Sequence, residues 1–167
     1  MKKITFAFLL LICTFISACH SPKDEMFEKA QDNLKASLDY PKQLKLIAHT
    51  EPDSAFGVNY FTRKEITGML KVMDVVTKNL MSKTQGVSDI TKTDPYTINL
   101  MRRQMGAATE VQTMIFKNTP KGQWSGWKVK IDYECVDKDG MKYRAERWVF
   151  FDREGKSVVK TFEIPLP

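Results

Sequence analysis

The chain has 167 residues, with 26 Lys and Arg against 20 Asp and Glu and a formal net charge of +6. Three cysteines and two histidines exclude a disulfide-stapled scaffold and a histidine-rich metal centre. The positive excess is mild and forms no clustered basic stripe, so it argues for solubility and attraction to anionic surfaces rather than for nucleic-acid binding.

Lys2 and Lys3 precede an almost wholly apolar run, residues 4–16 (ITFAFLLLICTFI). A membrane-spanning helix needs about 20 apolar residues, so this run has the layout of a removable secretory signal instead. It leads into Ile16-Ser17-Ala18-Cys19: an aliphatic residue, two small residues and a cysteine. This order resembles the lipobox of bacterial lipoproteins. The resemblance implies cleavage after Ala18, thioether diacylation of Cys19 and, in many lineages, acylation of the new N-terminus. It therefore divides the chain into a cleaved signal (1–18), a lipidated tether (19–25) and one domain (26–167). Its membrane contact would be the lipid on Cys19, in the cell envelope, with the outer membrane as the expected address. Lys23-Asp24-Glu25 also resembles the signal by which some Gram-negative lineages export lipoproteins to the cell surface. The same two acids equally suit the first turn of a helix, where they complement its positive end. Cleavage would leave 149 residues and, with Lys2 and Lys3 gone, a charge of +4. Cys135 would then be the only thiol left, and on an alternating strand it reads as a small buried hydrophobe.

Behind the signal, a helix is expected over 23–39, with Phe27, Ala30, Leu34 and Leu38 on one face and Pro41 blocking its continuation. Residues 43–50 alternate as a strand, and Pro52, Asp53 and Gly57 mark a turn. Thr62 with Glu65 forms a capping box for a second helix, whose stripe of Ile66, Met69, Leu70, Met73, Val76 and Leu80 runs on to Gly86. Asp94 and Pro95 open a third, striped by Ile98, Met101, Met105, Ala108 and Ile115, although Val111 to Phe116 also fits an extended segment.

From Trp127 the period changes to two. Asp137-Lys138-Asp139-Gly140 and Asp152-Arg153-Glu154-Gly155 both place Asp first and Gly fourth, as three-residue hairpin loops require. Strands over about 127–136, 141–151 and 157–164 follow, with Trp127 facing Phe151, Val129 facing Val149 and Tyr133 facing Ala145. The class is α+β. Helices followed by a curved meander resemble cystatin-like and NTF2-like folds, and the NTF2-like resemblance implies a pocket between helices and sheet.

The meander is apolar on both faces. One would lie beneath the helices, and the other would carry Trp148, Phe150, Val158, Phe162 and Ile164 beside Lys128, Lys130 and Lys160. That second face, with Trp124 in a Ser-Gly-flanked loop, is the expected binding surface for a protein, a ligand or a second copy of the chain. No zinc-protease, paired-cysteine, nucleophile-elbow or phosphate-loop motif occurs, so no catalytic residue, metal or cofactor is expected. His49 near Glu51 and Asp53 reads as structural, the paired methionines as core filling, and Asp137 with Asp139 as turn residues rather than a calcium loop.

A non-enzymatic envelope binding or accessory lipoprotein is the leading functional expectation. The others are a small hydrolase, isomerase or lyase with His49, Asp53 or Tyr133 in a pocket, and an inhibitor or immunity lipoprotein. Cells fed labelled palmitate should incorporate it into the wild-type chain and not into a Cys19→Ala variant; label retained by the variant would refute the lipobox reading.

Overall fold

The computed structural model describes residues 21–83, 93–117 and 120–167. The expected signal peptide, Cys19 and the helix end at Gly86 lie outside them. Among the described residues are helices α1 (Pro22–Ala36), α2 (Arg63–Lys83) and α3 (Pro95–Phe116). The strands are β1 (Lys45–His49), β2 (Asp53–Ala55), β3 (Gly126–Val136), β4 (Lys142–Phe151) and β5 (Val158–Pro165), and a short 3₁₀ turn spans Pro41–Gln43. This is an α+β fold with an open, antiparallel, five-stranded sheet.

Each helix start follows from a local cap. The Ser21 hydroxyl accepts from the Asp24 N–H at 3.2 Å while the Asp24 carboxylate accepts from the Ser21 N–H at 3.1 Å, with Pro22 at the first helical position. Residues 22–25, expected in the tether, thus belong to α1. α1 closes at Ala36, three residues before the expected end, because the Ser37 hydroxyl and N–H both turn back onto the Leu34 carbonyl. Thr62 and Glu65 form the expected box at α2. At α3 the Asp94 carboxylate accepts from the Thr97 N–H, and the helix runs unbroken through Val111 to Phe116, against the extended alternative.

β3 is the long central strand. One edge pairs with β4 along its length, and the other pairs first with β2 and then with β1, giving the order β1–β3–β4–β5 with β2 beside β1. Trp127 faces Phe151, Val129 faces Val149 and Tyr133 faces Ala145, as the Asp137–Gly140 loop requires. Gly140 and Gly155 take φ of 78° and 67° in the two hairpin loops, the left-handed conformation that closes each hairpin. β1 is exposed along its length and carries a bulge between Leu46 and Ala48.

Both faces of the sheet are covered, on opposite sides. Ala30 and Leu34 of α1 pack on Val129, Ile131, Tyr133, Cys135, Ala145, Val149 and Phe151. On the other side Met69 of α2 and Val111 and Met114 of α3 pack on Trp148, Phe150, Phe162 and Ile164. Phe61 stands edge-on to three of these aromatics, with centroids 5.8–5.9 Å away.

The expectation of an open second face is therefore corrected. Trp148, Phe150 and Phe162 are 6%, 1% and 2% exposed because α2 and α3 are long enough to cover them while α1 alone seals the first face. Val158 is corrected too. Phe150 pairs with Lys160 but Phe151 with Val158, so Val159 is an extra residue in a bulge and Val158 turns to the α1 side. Urea unfolding should show Phe162→Ala losing about 3–5 kcal/mol, as for a buried aromatic, and Val159→Ala, at an exposed bulge position, losing less than about 0.5 kcal/mol.

Candidate functional site

Not every residue on the α2 side of the sheet is apolar. Lys128 and Lys130 project from β3 on the same face as Trp148 and Phe150, since Lys128 lies opposite Phe150 and Lys130 opposite Trp148. Between this strip and the first half of α2 lies an open cleft of about 520 Å³. Met69, Val72 and one edge of Trp148 give it an apolar wall, and Gly68 leaves part of the α2 side without a side chain.

The floor is charged and internally paired. Lys128 is 6% exposed, and its ammonium lies 2.5 Å from the Glu65 carboxylate and 4.0 Å from Asp53. Glu65 is fixed in turn by its capping box, so helix start and buried ion pair share one carboxylate. Burial pushes the Glu65 pKa up, but the hydrogen bonds from Lys128 and Thr62 and the charge of Lys128 outweigh it and leave it below the ordinary glutamate value. Further along the strip, the more exposed Lys130 lies 2.9 Å from Glu146, which also accepts the Trp148 indole N–H at 2.6 Å.

This arrangement is suited to holding a ligand and poorly suited to moving protons. A general base needs a pKa near the working pH, whereas Glu65 is held as a carboxylate. The ammoniums of Lys128 and Lys130 each already have a carboxylate partner, while Lys64, which also lines the cleft, is exposed. A ligand with its own anionic or hydrogen-bonding group can share these pairs while its apolar part lies against Met69, Val72 and Trp148. Such a site is mostly apolar with a few placed polar groups, as small-molecule sites commonly are.

The residues singled out for chemistry do not converge. Tyr133 is buried on the α1 side, where its hydroxyl donates to Glu163, itself held by Arg103 at 2.7 Å and Arg147 at 3.2 Å. Burial and the Glu163 charge push the Tyr133 pKa far up, so it remains a neutral phenol. His49 stacks on Phe27 of α1 with ring centroids 3.8 Å apart. Only Asp53 reaches the cleft. Trp124 is 38% exposed in the loop before β3, away from Trp148, Phe150 and Phe162. Asp137 accepts from the N–H groups of Asp139 and Met141 and from the Asn99 side chain, which accounts for it as a turn residue.

Sequence reasoning placed Lys128 and Lys130 beside the expected second face and Glu65 in a helix cap without bringing them together, and did not single out Glu146. The available signal was the cross-strand pairing itself, because a lysine opposite a buried phenylalanine cannot point freely into water. Comparisons with protein families, with curated proteins and with solved structures return no match for this chain.

Glu65→Gln leaves Lys128 with only the more distant Asp53, and should cost about 2–3 kcal/mol at neutral pH, below the usual cost of orphaning a fully buried charge. Because the folded pKa of Glu65 is depressed, its contribution is complete above the ordinary glutamate range and lost as pH falls through the folded value. Wild type and variant should therefore converge in strong acid when denaturation is followed against pH.

Proposed function

We propose that this protein is a non-enzymatic, lipid-anchored lipoprotein of the bacterial envelope that binds a small amphipathic ligand in the cleft between α2 and the sheet. The observation that carries the reading is the buried Lys128–Glu65 pair set beside an apolar wall: charge kept in place, matched and accessible from an open cleft. Covering of the second sheet face by α2 and α3 removes the broad sheet surface as the binding site and leaves the cleft. An NTF2-like plan would put its ligand in this same position, between helices and sheet. The lipobox-like Ile16-Ser17-Ala18-Cys19 supports an address at an envelope membrane, where a tethered binding module would meet molecules passing through or residing in that layer.

Gly68 provides a test that separates binding from folding. A Cβ added there meets no heavy atom within 4 Å outside its own stretch of helix, and the position is helical and lines the cleft, so Gly68→Phe should occupy the cleft without loss of stability. Wild-type protein purified from native membranes in mild detergent should carry a bound small molecule detectable by mass spectrometry, and Gly68→Phe should carry none. Equal spectra for the two proteins, at equal melting temperature, would remove the cleft as the site.

A further inference from the structure

Three loops and the first turn of α1 meet at one end of the domain. The Ser125 N–H donates to the Ala55 carbonyl at 2.9 Å and the Gly57 N–H to the Ser125 hydroxyl at 2.7 Å, joining residues 55–60 to residues 120–125. The Trp127 indole N–H donates to the Arg153 carbonyl at 3.1 Å, which adds the β4–β5 turn. The Met26 side chain lies against Gly155, whose carbonyl accepts from Lys29 at 3.4 Å, so α1 starts here as well.

This end bears exposed or half-exposed aromatic residues, two of them beside a cation. Trp124 lies edge-on to Trp127 with the Arg153 guanidinium 6.0 Å from its ring, and Lys121 sits 4.2 Å over Phe56, which in turn meets Tyr60. Val58, Lys121, Arg153 and Lys156 are exposed. The acids at this end are Asp152, which accepts from the N–H groups of Lys156 and Ser157, Glu51, which pairs with Lys23 at 3.8 Å, the capping Asp24, and the exposed Glu25, Glu28 and Glu154.

We propose that this end docks on the anionic phospholipid surface of the membrane that holds the anchor, with Trp124 at headgroup depth and Lys121, Arg153 and Lys156 on the phosphates. The inference rests on the lipid-anchor reading of Cys19. That cysteine precedes Ser21 by two residues, and two residues span at most about 7 Å, so the α1 start cannot stand far from the bilayer. Indole rings partition to the membrane interface, and basic side chains beside an acyl anchor add attraction to anionic lipid. The acylated cysteine and the patch thus act on the same surface from the same end, which holds the domain in one orientation.

The test uses the full-length protein purified from membranes and reconstituted into vesicles of phosphatidylethanolamine and phosphatidylglycerol. A nitroxide is attached at Gln123→Cys or, at the far end of the sheet, at Lys138→Cys; the native Cys135 thiol is buried and does not compete. Collision with a water-soluble nickel chelate should be several-fold lower for the label at 123 than at 138. Adding Trp124→Ala with Lys121→Ala should raise it toward the value at 138. If mass spectrometry finds Cys19 acylated yet both labels are equally exposed to nickel, the docking surface is overturned and the anchor stands. Protein without acyl chains would overturn the anchor reading, and docking with it.

Discussion

β4 and β5 put large side chains on both faces of one sheet: Phe151 and Val149 on one, Trp148, Phe150, Phe162 and Ile164 on the other. Neither face can remain in water without exposing several aromatic rings, and the order of helices along the chain answers that constraint. α1 precedes the sheet and closes the first face. α2 and α3 are joined in sequence and lie side by side over the second, with Phe61, just before α2, wedged among the aromatics.

The cleft is a by-product of covering the second face. α2 meets the strip formed by Trp148 and Phe150, but beside it β3 presents Lys128 and Lys130, which cannot pack like Phe or Leu. Their charges need partners in a partly dry space. Glu65 and Glu146 provide them, and Glu65 is available at that point because it already belongs to the first turn of α2. One carboxylate starts the helix, neutralises a buried ammonium and forms part of the cleft wall, so a change there is felt in stability and in binding together. The Tyr133–Glu163–Arg103–Arg147 group shows the contrasting case: its charges pair with one another, Arg103 reaching in from α3, and the Arg147 Nε is buried without a hydrogen-bond partner.

Much of the scaffold was legible because short-range chemistry determined it. The Asp137–Gly140 loop fixed the β3–β4 register at every pair inferred, and the caps at Thr62 and Asp94 located α2 and α3. Three features escaped because they depend on interactions distant in sequence. The bulge at Val159 inverts Val158, and nothing in the local alternation marks it. The division of helices between the two faces turns on tertiary packing, so Trp148, Phe150 and Phe162 could be recognised as an apolar face but not as a covered one. The Lys128–Glu65 pair joins residues 63 positions apart, and a capping glutamate does not announce a second partner.

The bulge in β1 bears on how this chain tolerates crowding. β1 has its outer side to solvent, with Leu46 and Ile47 more than a third exposed, and a straight apolar edge of that kind would be a template for strands from neighbouring copies. The irregular step between Leu46 and Ala48 breaks the spacing of the outward N–H and C=O groups, and Lys45 adds a charge at the start of the strand. Copies at high local concentration would then pass one another without zipping together along their sheets.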